Sequence, residues 1–375
     1  MNTQNSIAPQ GLESDYIQAT ARFQLAQNYA NLLLQQPFLE LPVDAGLASL
    51  VRNQQQSLKT LANNFDLEVM PGYIKQIASA SGFTALWQAY KETDRTYVKN
   101  AFDNPMAQNT AVQATNLLAE HSGEINAQAD LFANNINGVN TTLQSTIATL
   151  ERSLDRAISD MGVDAEFVSA SIDELKSSIN QNINDIVEGG EKTGKAVTDL
   201  GIGILTTIAA DSGSAAKETG TDKKAGESKG TSVPSTEFVA LAIKGASEGA
   251  AETAKARADL NANNEKLADA YHKLAELNGL TAVAKVVSVQ NSLYIGALKE
   301  IGQSIPILAQ TWGTSPLTPP GSGISLGFHN FALQIQRVKS TQEAEQLAGL
   351  IGLADVGWTS LSRQLNTLKR TLSGV

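Results

Sequence analysis

Residues 143–186 read LQSTIATLERSLDRAISDMGVDAEFVSASIDELKSSINQNINDI. Along this stretch Leu143, Ile147, Leu150, Leu154, Ala157, Met161, Ala165, Val168, Ile172, Leu175, Ile179, Asn182 and Ile186 recur at steps of three and four. That spacing keeps one apolar stripe on one face of a helix and is the spacing of a coiled-coil seam. A helix with such a stripe needs a second helix to cover it. The pattern then stops. Gly189 and Gly190 interrupt it, and residues 194–210 read GKAVTDLGIGILTTIAA, a short apolar stretch rich in Gly.

Working outward, the chain punctuates itself into helices. Residues 1–13 carry no periodicity and read as a frayed end. Ser14 or Asp15 can cap a first helix reaching about Gln36, with Ile17, Phe23, Leu25, Tyr29, Leu32 and Leu33 as its apolar set, and Pro37 and Pro42 stop it. Asp44 can cap a second helix through Leu47, Leu50, Val51, Leu58, Leu61 and Phe65. Pro71-Gly72 marks a kink or break. A third helical stretch runs through Phe83, Leu86, Trp87, Tyr90 and Tyr97 to Asn104-Pro105. No proline follows until well past Glu188, so Met106 to Glu188 is predicted as one helix of roughly 80 residues, or about 120 Å. Gly162-Val163-Asp164 offers a possible break, but the heptad phase survives across it. From about Ser247 to Ile305 the periodicity returns (Leu260, Leu267, Tyr271, Leu274, Leu277, Val283, Val287, Leu293, Leu298, Ile301), and Pro306 is expected to end it. After the turn-rich 314–323, a last helix is expected from Ser325 to Leu372.

The fold class is therefore all-α: an elongated helical bundle or coiled coil with long antiparallel helices and a small head inserted between them. Residues 1–188 plus 250–375 form the tail bundle, and 189–249 form the head. The 375 residues include 42% apolar but only 5% aromatic residues, a helical composition. Net charge is −10, from 28 basic and 38 acidic residues, with no basic patch interleaved with aromatics, which argues against a nucleic-acid partner. With no cysteine there is neither a disulfide nor a thiolate metal site. The opening MNTQNSIAPQGLESDY has no basic n-region and no apolar core, so no Sec signal peptide is read and export would take another route. No run of about 18 apolar residues reads as a standing transmembrane helix.

No catalytic constellation emerges, and no cofactor is implied. His121, His272 and His329 are isolated, and none has a second His four residues on. Gly189-Gly190 and Gly201-x-Gly203 match no phosphate loop. The acidic residues sit on heptad flanks and read as a solvated face.

The head carries the functional reading. Val197, Leu200, Ile204, Leu205 and Ile208, with Ile202 in the same run, form one apolar segment; Phe238 and Leu241, with Val239 and Ile243, form a second. Lys195, Asp199, Lys244 and Glu248 lie off these faces, so both segments are amphipathic. The polar, charge-balanced stretch 211–232 joins them. Gly189, Gly190, Gly194, Gly245 and Gly249 bracket the pair as hinges. Strand and helix both remain open for the head, as an apolar hairpin or a β-tongue. A plain alternative makes the two segments a cap on the bundle end.

This arrangement resembles the cytolysin A-like α-pore-forming toxins. The resemblance rests on the heptads at 143–186, the apolar hairpin at 196–246, the returning helix at 247–305 and the C-terminal helix at 325–372. It implies a secreted protein that changes from soluble monomer to membrane-inserted homo- or hetero-oligomer. Its partners would be the target-cell membrane and related toxin components. Within that family, the tripartite haemolysins and enterotoxins use a late-joining component with an amphipathic head that makes the lumen hydrophilic, and this head resembles that one. The resemblance gives Val197, Leu200, Ile202, Ile204, Leu205, Ile208, Phe238, Val239, Leu241 and Ile243 to membrane or partner, and Lys195, Asp199, Lys244 and Glu248 to the lumen. Two alternatives from other classes are a translocator-like protein of type III secretion and a structural coiled coil without a membrane step.

Overall fold

The structure is a computed structural model and describes residues 7–35, 38–39, 41–160, 279–313 and 323–373. Every regular element among the described residues is helical. In chain order these are α1 (Leu12–Gln35), α2 (Ala45–Asn64), a π-helical turn (Phe65–Val69), α3 (Met70–Lys99), α4 (Pro105–Asp160), α5 (Gly279–Trp312), α6 (Ile324–Gln336) and α7 (Thr341–Ser373). The all-α expectation holds. The expected head, 189–249, lies outside the described residues, as does the heptad run from Met161 to Ile186.

Several expected boundaries are met for the expected reasons. Asp44 Oδ1 accepts from the backbone N–H groups of Gly46 and Leu47 at 2.8 and 3.1 Å, which satisfies donors orphaned at the start of α2. Asn104 does the same for Met106 and Ala107, with Pro105 at the first helical position, where its missing N–H has no partner to lose. Within α4, Leu143, Ile147, Leu150, Leu154 and Ala157 are all buried, as the heptads require.

Four expectations are corrected. Residues 7–13 are anchored, not frayed: Ile7 is buried, and the Trp358 indole N–H donates to its carbonyl at 2.9 Å. Pro71-Gly72 breaks nothing. The chain stays helical from α2 into α3, and the wider π turn takes up the misfit, with Met70 N–H bonded to Phe65 C=O five residues back. Proline lacks the donor and its ring crowds the carbonyl of the preceding turn, so the irregularity falls one turn before it. Pro306 lies inside α5 and does not end it. Ile305, Leu308, Ala309 and Trp312 around it are fully buried, and that burial outweighs a lost hydrogen bond and ring clash of about 3 kcal/mol. The single C-terminal helix is two, α6 and α7. Glu343 accepts from Lys339 N–H at 2.7 Å while Ser340 Oγ accepts from Glu343 N–H at 3.2 Å, a reciprocal cap that starts a new helix.

Contacts divide the chain into two compact units. Unit 1 draws on Met1–Thr20, Pro71–Ile136 and Gly302–Val375, and unit 2 on Ala21–Met70 and Asn137–Ile301. In unit 1, α3 runs antiparallel to both α4 and α7. Gln76 donates to the Gln128 carbonyl (3.2 Å) and Gly72 sits under the Phe132 ring; Gln88 reaches Thr359 (3.1 Å) while Lys99 meets Glu345 (3.9 Å). Its core is an aromatic cluster of Phe83, Trp87, Trp312, Phe328 and Trp358, with ring centroids 4.9–6.3 Å apart. In unit 2, Phe65 lies between Phe23 and Tyr294, at 6.4 and 6.2 Å. The Lys59 ammonium donates to the Leu34 carbonyl at 2.7 Å and so caps the end of α1. Lys59 and Arg52 both stand over the Phe38 ring at 5.1 Å.

Two glycines are required by close approach. A side chain at Gly323, with φ +137°, would run into the Gly313 carbonyl. A Cβ at Gly72 would lie 2.5 Å from the Phe132 ring. Gly72→Ala should therefore destabilise the protein by about 1–3 kcal/mol. Gly82→Ala, with open space around it in the same helix, should stabilise by about 0.5–1 kcal/mol. Urea unfolding followed by tryptophan fluorescence measures both; equal effects would contradict the packing described at Gly72.

Candidate functional site

Every residue that the sequence assigns to membrane, partner, lumen or hinge lies outside the described residues. These are Val197, Leu200, Ile202, Ile204, Leu205, Ile208, Phe238, Val239, Leu241 and Ile243; Lys195, Asp199, Lys244 and Glu248; and Gly189, Gly190, Gly194, Gly245 and Gly249. The structure does show the two helices that lead out to this segment and back. In unit 2, Glu151 of α4 accepts from Ser288 and Ser292 of α5, at 3.3 and 3.1 Å. Glu151 stands some nine residues before the described end of α4, and Ser288 some nine after the described start of α5. The two helices are thus paired within unit 2 near the ends of their described portions. Val287, Leu293 and Leu298 on α5 are buried, as their stripe requires.

Unit 1 holds a buried hydrogen-bonded chain and a multiply bonded carboxylate. Tyr16, Tyr73, Thr20 and Trp312 form one buried chain. The Trp312 indole donates to Tyr16 Oη (3.0 Å), Tyr73 Oη donates to the Tyr16 carbonyl (3.2 Å), and the Thr20 hydroxyl lies 2.8 Å from Tyr73 Oη. Burial pushes both phenols above the ordinary tyrosine range, so they act only as neutral hydrogen-bonding groups. Asp355 on α7 accepts from Trp87 Nε1 (3.1 Å), Gln88 Nε2 (3.2 Å) and Lys91 Nζ (2.7 Å). Burial pushes its carboxyl up, but these three donors and the lysine charge outweigh that and hold it below the ordinary value.

One carboxylate was missed by the sequence reading. Asp94 lies in the charged run KETDRTY, which the sequence analysis did not single out; in the structure it is only 4% exposed. The signal was present in its spacing, since Asp94 is seven residues after buried Trp87 and four before buried Val98, on one helix face. Two apolar expectations also fail: Leu50 and Leu333 are 42% and 44% exposed. His121 pairs with Glu124 at 3.2 Å, and His329 is exposed. Among the described residues no group of three or more His, Asp or Glu could hold a metal, and no helix is long and apolar enough to cross a membrane.

This arrangement, antiparallel helices with a long insertion between α4 and α5, defines a class of helical-bundle proteins, and comparison places the chain within it. The Bacillus haemolytic enterotoxin (HBL) family matches residues 6–188. No curated protein matches by sequence. Among solved structures, soluble SmhA of the tripartite alpha-pore forming toxin Smh from Serratia marcescens is 20% identical with a TM-score of 0.66, covering 98% of this chain and 95% of its own. Soluble AhlB of the tripartite alpha-pore forming toxin AHL from Aeromonas hydrophila is 13% identical with a TM-score of 0.65, covering 97% and 94%. The pore form of AhlB scores 0.51 at 17% identity, covering 97% of each chain. The fold is thus that of the soluble α-pore-forming toxin components to which the chain is similar. More narrowly, its N-terminal half matches the Bacillus haemolytic enterotoxin (HBL) model, and its fold is similar to that of tripartite toxin components. The expected resemblance to pore-forming toxin components is borne out at the level of fold, with a family-model match over residues 6–188.

Asp355→Asn should lower stability at neutral pH by about 1–3 kcal/mol, through loss of charge-assisted bonds that hold α3 to α7. Asp355 is held below its ordinary pKa, so its contribution is present above the unfolded value and is lost as pH falls through the folded one. The gap between wild type and variant in urea midpoint should be full at pH 7 and close below about pH 4.

Proposed function

We propose that this chain is the late-joining, lumen-lining component of a multi-protein pore, secreted as a soluble monomer and recruited to a target-cell membrane by related components. The observation that carries the reading is a fold shared with soluble components of tripartite α-pore-forming toxins over nearly the whole chain. The likeness to AhlB is greater in its soluble form than in its pore, which fits a chain described before insertion. The amphipathic pattern of 194–210 and 236–250 supplies the rest. In lipid, backbone polar groups must be satisfied within the structure, so these segments would span as helices that prolong α4 and α5. Leu200, Ile204, Ile208, Phe238 and Leu241 would pack on partner or lipid. Lys195, Asp199, Lys244 and Glu248 would face water, and the glycines at 189, 190, 194, 245 and 249 would take up the change in backbone path. The division into a tail (1–188 plus 250–375) and a head (189–249) belongs to this proposal. The partners are related toxin components in a homo- or hetero-oligomer. The chemistry asked of the chain is insertion and assembly, without an enzymatic step.

Red-cell lysis tests the reading, with the purified protein alone and mixed with its companion components. Lysis only in the mixture is expected; lysis by this chain alone would overturn the late-joining role. Ile204→Asp puts a charge on the apolar face at a cost of roughly 2.5–3.5 kcal/mol in a spanning helix. It should reduce lysis by the mixture more than tenfold and leave the circular dichroism of the monomer unchanged. Undiminished lysis by that variant would remove the 194–210 segment from the pore.

A further inference from the structure

Asp94 is a buried carboxyl that nothing in the proposed pore function uses. Its Oδ1 has no hydrogen-bond partner and negligible solvent contact. It stands on the α3 face that also buries Trp87 and Val98. The helix registers fix its surroundings. On α7, Lys91 meets Asp355 and the Arg95 guanidinium lies 3.9 Å from where a Gly352 side chain would begin, so Asp94 is level with buried Ile351. On α4, the register set by Gly72–Phe132 and Gln76–Gln128 carries this level to buried Ala111 and Thr115. On α6, the contacts Ser325–Ala119 and Gln108–Ile335 carry it to buried Phe331 and Ala332.

The ionisable groups on these elements do not compensate it. The α4 segment 105–119 has none. On α6 the single candidate is His329, which is exposed. On α7, residues 347–359 hold only Asp355, already occupied by Lys91, Trp87 and Gln88. On α3 itself, Lys91 is committed to Asp355; Glu92, Arg95 and Lys99 are exposed, and the half-buried phenols of Tyr90 and Tyr97 can offer no positive charge. An ionised carboxylate in such a place costs several kcal/mol, and the group answers by keeping its proton.

We propose that Asp94 is a proton-dependent latch in the core of unit 1: protonated, it is accommodated between α3, α4, α6 and α7; ionised, it loosens that bundle. Burial pushes the carboxyl from an ordinary 3.8 up to about 7. The folded state therefore holds a proton that the unfolded chain has lost, and stability declines as pH rises from the unfolded value through the folded one. Acidification would tighten this unit, and a shift to neutral or alkaline pH would predispose it to rearrange.

The test compares urea unfolding of the full chain with that of Asp94→Asn, which keeps the shape without the titration. The folding constant of the variant relative to wild type should rise on the order of a hundredfold between about pH 5 and pH 8. A ratio that stays constant across that range would overturn the proposal. Asp94→Ser gives the same comparison should the asparagine variant fail to fold. An infrared titration of the wild type needs no variant. A protonated-carboxyl band present near pH 6 and lost by about pH 8.5 supports the latch, and no such band at pH 6 overturns it.

Discussion

The constraint on which the rest depends is the apolar stripe of α4. A helix of 56 residues with Ile136, Leu143, Ile147, Leu150, Leu154 and Ala157 along one side has no stable place in water by itself. Covering that stripe calls for other long helices laid alongside it, and both units answer that need. In unit 1, α3 and α6 run antiparallel to α4, close enough that Gly72 must be glycine beneath Phe132. In unit 2, α5 meets α4 at Glu151.

Helix pairing leaves open which helices meet where, and in unit 1 the tryptophans contribute most to settling it. Each of the three indoles is buried and each finds an acceptor: Trp87 on Asp355, Trp312 on Tyr16, Trp358 on the carbonyl of Ile7. An indole N–H left unpaired in a dry core costs about 1–3 kcal/mol, so these bonds select one register over its neighbours. They also explain why the first described residues are held down. The segment around Ile7 and Pro9 completes the shell over Trp358 and Gly357. Among the described residues of unit 1, buried oxygens of Gln76, Asn126 and Asp94 lack a hydrogen-bond partner; of these only Asp94 can ionise, and a bundle can carry an uncompensated carboxyl only in its neutral form.

Much of the fold was legible in local chemistry. Asp44 and Asn104-Pro105 are capping signals that act within three residues, and the structure uses both. The heptads of 143–157 were legible because burial on one helix face repeats with the helix itself. The Ser340–Glu343 cap was equally local, and its S-x-x-E spacing could have divided α6 from α7. The prolines misled for the opposite reason. A proline carries a penalty of a few kcal/mol wherever it sits, but whether a helix ends there depends on how much apolar surface its neighbours bury. Around Pro306 they bury a great deal, and before Pro71 a π turn absorbs the strain.

The sequence by itself determined the all-α class, the long seam, the principal caps and the amphipathic character of the segments between 194 and 250, because each follows from residue type and short spacing. Only the tertiary structure decided that α2 continues into α3, that α5 passes through Pro306, that the N-terminal segment is pinned at Trp358 and that Asp94 is buried. These outcomes turn on which surfaces meet across tens or hundreds of residues. The energies involved, a few kcal/mol each, are small beside the apolar burial that packing supplies and large beside any local preference.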